Sequence, residues 1–244
     1  DFFANHGLIQ YTNRPQWRTV VGGSREYVRR LVAGLSGGAQ LRATVSRIER
    51  RPAEVVIHLE DGRHATFDQV VIATHADQAL RLLAQPSADE QRLLGAFRYS
   101  RNRAVLHRDP QLMPKRRAAW ASWNYLSAPD ALAVTYWMNL LQPLTTRRQY
   151  FVTLNPPREP RPGTVEREFS YEHPLFDLAA LEAQRQLVNL QGRDRLWYCG
   201  SYFGYGFHED ALESGLWVAE ALGGVQRPWT LAEPSARTRL PAHG

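Results

Sequence analysis

Hydrophobic positions recur along this chain with two periods, and the switches between them mark its elements. Tyr27, Val28, Leu31, Val32 and Leu35 fall three and four residues apart. They form one face of a helix that Gly22-Gly23 precedes and Gly37-Gly38 ends. Ser24 is placed to cap it, and Glu26 stands in the first turn, where the helix dipole favours a carboxylate. The period then drops to two. Leu41, Ala43 and Val45 alternate with Arg42, Thr44 and Ser46, and Val55, Ile57 and Leu59 with Val56, His58 and Glu60. Asp61-Gly62 predicts a hairpin turn, with Ala65 and Phe67 facing inward on the return strand. The apolar run 70–73 predicts a strand buried on both faces, and a helix follows over 76–83.

Residues 87–175 are richer in arginine and tryptophan and poor in glycine. Strands are expected at 103–107, 118–125, 131–138, 150–154 and 165–171, with a proline-rich loop at 156–162. A helix is expected over 178–190. The last regular stretch is a short apolar run, 196–199, then Gly200, Gly204 and Gly206, then a helical pattern through Ala211, Leu212, Gly215, Leu216, Val218, Ala219 and Leu222. At the two ends, residues 1–18 predict a helix end and an extended approach to Trp17, and 225–244 a mobile tail without periodicity.

Strand, glycine-rich turn and helix is a geometry that aims a helix N-terminus at an anionic or polar ligand. Glycine permits close backbone approach and positive φ. Spacing alone leaves two readings open at 200–206: a ligand-facing turn and an ordinary turn.

Composition narrows the partners. Apolar residues make up 43% of the 244, enough for a sizeable core. The formal net charge is +6, and all but one of the 30 basic residues are arginine, Lys115 being the exception. The arginines are scattered without a basic stripe, which argues against a nucleic-acid partner and leaves peripheral contact with acidic lipid open. A single cysteine, Cys199, excludes an internal disulfide and suits a reducing, cytoplasmic compartment. In its apolar run it reads as packing. The apolar stretch 131–144 is interrupted by Thr135, Asn139, Gln142 and Pro143 and falls short of a membrane span. No metal is expected. His208, Glu209 and Asp210 are adjacent rather than spaced for one helix face, and His75, His107 and His173 read as isolated surface or core histidines.

The run from Tyr198 to Gly215 resembles the C-terminal flavin-contacting motif of the flavin amine oxidase and phytoene desaturase superfamily. It is most similar to a bacterial branch of NAD/FAD-binding oxidoreductases. The Gly22-Gly23 helix, the hairpin and the strand Val70–Thr74 are similar to the same superfamily, so the resemblance covers about 17–223. It implies an α/β fold of mixed α+β character: a partial FAD/NAD(P)-binding domain (1–86 and 176–224) with an inserted mixed-sheet substrate domain (87–175). It implies FAD as cofactor. The backbone of Val45 would hold the adenine, Gly200 and Ser201 would run past the ribityl-pyrophosphate, and Gly206 completes the turn. His208, Glu209, Asp210 and Ala211 would open the helix against the flavin pyrimidine edge. On the substrate side it points to Phe207, Glu26 and Asn102.

This chain departs from the family pattern in several places. Many relatives carry glutamate at or next to Ser201. Phe207 stands where monoamine oxidases place a tyrosine of an aromatic cage, and Asn102 where many amine oxidases carry a lysine. No Gly-x-Gly-x-x-Gly follows a strand. The other reading of Val45 is an ordinary strand residue, and of Glu26 a first-turn carboxylate. Trp120, Trp123, Tyr125, Tyr136 and Trp137 suit an apolar substrate or a packed sheet.

The resulting expectation is the C-terminal part of an FAD-dependent oxidoreductase acting on a small, apolar, lipid-like substrate by hydride transfer to flavin. A chain that opens in mid-pattern without methionine is expected to be a fragment or a processed product, and alone it should hold FAD weakly. The alternative is a truncated, non-catalytic chain with a binding or structural role. Residues 19–80 are expected to pack with 191–224, bringing strand 70–73 beside 198–200, while 87–175 form a separate sheet layer. The oligomeric state is open.

Overall fold

The computed structural model describes residues 12, 16, 18–128 and 131–229. The helix end expected within 1–18, with the approach to Trp17, falls almost wholly outside these residues, as does 230–244 of the expected tail. In chain order the elements are α1 (Arg25–Ala33), β1 (Val45–Arg50), β2 (Val55–Leu59), β3 (His64–Phe67), β4 (Val70–Ile72), α2 (Ala76–Leu82), α3 (Ala88–Leu94) and β5 (Arg98–His107). Then come β6 (Trp123–Ala128), β7 (Ala131–Trp137), α4 (Met138–Leu141), β8 (Phe151–Leu154), β9 (Val165–Leu175), α5 (Leu178–Gln184), β10 (Leu196–Tyr198) and α6 (His208–Gly223). Helices and sheets are mixed, as the fold class anticipated. The chain divides into two compact units, 1–40 with 102–171, and 41–101 with 172–244.

The first unit holds α1 and most of a five-stranded sheet of order β6-β7-β8-β5-β9. Gly22 and Gly23 take φ of +86° and +84°, the positive values that glycine permits before α1. Ser24 does not cap the helix. Its own φ and ψ are helical (−59°, −27°), and a cap needs extended backbone to aim its oxygen at the free N–H groups. The apolar face of α1 is present but buries no residue, and Leu31 is 68% exposed. In the sheet, β6 with β7, β7 with β8 and β5 with β8 pair antiparallel. The strand expected at 118–125 starts only at Trp123, behind a 3-10 turn at Arg117–Ala119. Trp120 Nε1 donates to the Pro114 carbonyl (2.8 Å), and the Asn124 amide bonds both Ala121 N and O (3.0 and 2.6 Å), so side chains take the backbone's partners there. The expected strand residues around Trp120 pack edge to face, its ring lying 5.3 Å from Trp137 and 5.5 Å from Phe151.

The second unit contains a meander, β1-β2-β3, and a separate parallel pair, β10-β4. Strand β1 begins at Val45, not Leu41. Arg42 takes a left-handed φ of 56°, which breaks the alternation and leaves Leu41 86% exposed. The Asp61-Gly62 hairpin forms, with Gly62 at φ +86° and the Asp61 carboxylate accepting from Arg63 N and Nε. Ala65 and Phe67 do not face inward. β3 lies at the edge of the meander and is exposed throughout. The run at Val70 is buried on one face only: Val70 and Ile72 enter the core, while Val71, on the opposite face of the pleat, is 41% exposed.

The core of this unit joins Ile48, Val55, Val70 and Ile72 to Leu93, Leu94 and Phe97, and these to Leu187, Leu196, Tyr198, Tyr202 and Phe203. The helix expected over 178–190 stops at Gln184 and resumes as a 3-10 turn, Leu187–Leu190. Residues three apart eclipse in such a turn, which turns both leucines fully into the core. Just past α6, Arg227 is tied down: its N–H, Nε and Nη2 all bond the Glu220 carboxylate.

Candidate functional site

β4 and β10 run parallel in the register Leu196↔Val70, Trp197↔Val71, Tyr198↔Ile72, and Cys199 N extends the ladder to Ile72 O (3.2 Å). The juxtaposition of 70–73 with 198–200 expected from sequence is therefore present. Tyr198 fixes this end of β10. Its hydroxyl donates to Glu90 (2.6 Å), which also accepts from Arg50 Nη1 (2.9 Å) and Ser87 N (2.7 Å). Burial opposes ionisation of Glu90, yet these donors together hold its carboxyl below the usual range. Burial, then Glu90, pushes the Tyr198 phenol up. Burial likewise raises the Cys199 thiol, which makes it inert packing rather than a nucleophile.

The glycine-rich turn begins where the two carboxyl ends meet. A Cβ on Gly200 would lie 2.7 Å from the buried Tyr202 ring and 3.4 Å from the Thr74 carbonyl, so the close approach requires glycine. Three side chains clamp the loop that follows. Ser214 Oγ, from α6, accepts from Gly200 N (3.0 Å) and lies 3.2 Å from Gly200 O. Gln184, from α5, donates both amide hydrogens, to Tyr202 O (2.8 Å) and Gly204 O (2.7 Å). Asp210 Oδ2 accepts from Tyr205 N (3.0 Å) and Phe207 N (2.8 Å). Its Oδ1 is buried without a hydrogen-bond partner. Gly206 takes φ +94° over the Phe176 ring. Gly200, Ser201, Gly206, Phe207, His208, Glu209, Asp210 and Ala211 thus lie on one hydrogen-bonded loop and helix opening, with His208 and Glu209 exposed. Val45 is partly buried against the core of the same unit.

Glu26 and Asn102 belong to the other unit. Glu26 pairs with Arg29 (2.6 Å) on α1. Asn102 Oδ1 accepts from Asn155 Nδ2 (2.9 Å).

Sequence reading missed a cluster beside Thr74. His75 stacks on Tyr99, ring centroids 4.3 Å apart and 10° from parallel, and its Nδ1 is 3.8 Å from Glu172 Oε2. Tyr99 Oη accepts from Ala76 N (3.0 Å), and burial pushes its phenol up to about 12. The usable signal was position: a polar residue just past the carboxyl end of a parallel strand, where ligands of α/β sheets gather. Tyr99 and Glu172 are too distant in sequence to be associated with it. Among the described residues no group of three or more His, Cys, Asp or Glu is arranged to hold a metal. No described helix is long and apolar enough to cross a membrane.

Two parallel strands whose carboxyl ends feed a glycine-lined turn and a long helix make an α/β arrangement. Residues 2–106 match the family described as flavin containing amine oxidoreductase. No curated protein matches the sequence. Among solved structures, a fatty acid isomerase from P. acnes that produces CLA matches with a TM-score of 0.57 and 15% identity, over 83% of this chain and 52% of that one. Putrescine oxidase bound to putrescine matches with a TM-score of 0.59 and 12% identity, over 84% and 54%. At these identities the likeness is one of fold, and the chain spans about half the length of both structures. The segment 2–106 is thus similar to the flavin containing amine oxidoreductases, and the described fold is shared with both solved structures.

Proposed function

We propose that the chain is the C-terminal part of an FAD-dependent, amine-oxidase-like oxidoreductase that acts on an apolar, lipid-like substrate in the cytoplasm. The observation that carries the reading is the loop from Gly200 to Ala211, clamped by Ser214, Gln184 and Asp210 at the carboxyl ends of β4 and β10. The residues fit the cofactor. Gly200 is required by packing on the buried Tyr202 ring and the Thr74 carbonyl, and the backbone of this turn would run along the path assigned to the ribityl-pyrophosphate. The helix opening already holds Glu209 and Asp210, so it suits a neutral polar edge such as the flavin pyrimidine rather than a phosphate. Val45 would serve the adenine, and Phe207, Glu26 and Asn102 the substrate side, with 87–175 as substrate domain. Bound FAD supplies the hydride acceptor; the chain's part is to hold and orient. A second reading, a non-catalytic chain with a binding role, draws on the missing Gly-x-Gly-x-x-Gly.

The test is the absorption spectrum of the protein expressed from its full reading frame. A flavin spectrum, bleached on anaerobic addition of an apolar substrate, is the expected result. No flavin absorbance, and none released on denaturation, would overturn the reading.

A further inference from the structure

Within the first unit, residues 18–19, 121–123 and 138–143 enclose an open cavity of about 870 Å³. Small-molecule sites run from roughly 300 to 1,000 Å³. The wall is apolar, formed by Trp123, Met138, Leu140, Leu141 and Pro143, and Leu140 is 55% exposed. One cation, Arg18, lines it. Other arginines of this unit sit on carboxylates: Arg103 on Glu159 and Glu168, Arg108 on Glu166, Arg161 on Asp109. Among the described residues, Arg18 has no such partner. The wall and rim are held in place. Asn139 donates to Arg148 O (2.8 Å) and accepts from Tyr150 N (2.8 Å), which pins α4. Gln142 Nε2 donates to Thr19 Oγ1 (3.0 Å), which ties the segment carrying Arg18 to the turn after α4.

A guanidinium without a carboxylate partner among the described residues, set beside an apolar wall, complements an amphipathic anion. A single cation and a single cavity suit one head group and one chain, not a two-chain lipid. We propose that this cavity binds a free fatty acid, its carboxylate on Arg18 and its chain along Trp123, Leu140 and Leu141. The site needs no flavin, so it stands or falls apart from the oxidoreductase reading.

The probe is cis-parinaric acid, added to residues 1–244 below its aggregation concentration and followed by fluorescence. Saturable binding of one probe per chain is expected, displaced by laurate but not by equal concentrations of dodecanol or dodecyltrimethylammonium. Arg18→Gln should weaken binding about three- to tenfold, the range of an exposed to half-desolvated charge pair, and Arg18→Lys much less. Leu141→Asp should abolish binding, with an unchanged urea transition showing that the fold persists. Arg30→Gln, on α1, is the control and should change nothing. Four outcomes overturn the proposal: no binding, equal displacement by dodecanol, unchanged affinity in Arg18→Gln, or binding to phosphatidylglycerol vesicles without binding of monomeric acid.

Discussion

His107 shows how one side chain can set a local preference for protonation state. It is fully buried. The Asp109 N–H donates to its Nδ1 (3.1 Å), so Nδ1 is unprotonated and the hydrogen sits on Nε2. Nε2 then donates to Thr153 Oγ1 (2.7 Å), and Thr153 pairs with Thr135 Oγ1 (2.8 Å). Burial holds the imidazole below its ordinary value of 6.5, partly opposed by the Asp109 carboxylate. A histidine whose folded value is depressed leaves the unfolded chain binding more protons below the ordinary value. Stability from this site is therefore complete above about pH 6.5 and declines as pH falls below it. Urea midpoints at pH 8 and pH 5.5 should differ more for the wild-type chain than for His107→Asn. Equal differences would show that the imidazole carries none of the pH dependence. Nothing in the local sequence marks this network. His107, Thr135 and Thr153 lie on three strands and meet only through sheet pairing.

At the scale of elements, Gln184 is the clearest coupling between a helix and the candidate site. It is 3% exposed, and its two amide hydrogens satisfy two carbonyls of the 200–206 loop. Replacement by leucine keeps the volume and leaves both carbonyls buried without donors. Each such loss costs about 1–3 kcal/mol. Gln184→Leu should therefore lower the unfolding free energy by several-fold more than an exposed change such as Gln186→Leu, measured by urea titration. A difference under about 0.5 kcal/mol would mean that water replaces the amide. The 178–190 pattern revealed a helix here, because periodicity reports which face is apolar. It did not reveal the break after Gln184, because the 3-10 turn is chosen by the depth at which Leu187 and Leu190 meet the core.

At the scale of the whole molecule, the chain carries two compact units and lacks the Gly-x-Gly-x-x-Gly turn that cradles a pyrophosphate. The contacts proposed for FAD are Val45 at the adenine, His208–Ala211 at the flavin, and Gly200 with Ser201 along the ribityl-pyrophosphate, without the glycine-rich turn that would cradle the two phosphates. Each missing charge-assisted N–H contact is worth about 1.5–3 kcal/mol, so several together weaken binding by several powers of ten. Titration of residues 1–244 with FAD should show no stoichiometric binding at micromolar concentration. A sub-micromolar dissociation constant with a resolved flavin spectrum would show that these contacts suffice.

Periodicity and turn residues alone determined α1, the Asp61-Gly62 hairpin, β4, β10 and α6, because those signals are local: which face is apolar, and where φ must be positive. The run from Tyr198 to Gly215 also carried the shape of the loop, which its glycines, Ser214 and Asp210 hold, whereas the family match lies at residues 2–106. Only the tertiary structure decided which apolar faces are covered. α1 buries nothing, and β3 and Val71 stand open, because burial depends on what packs opposite rather than on the strand or helix itself. It also decided the company of His75. The imidazole becomes part of a cluster only when β4 brings it beside Tyr99 and Glu172, residues joined by packing and not by spacing.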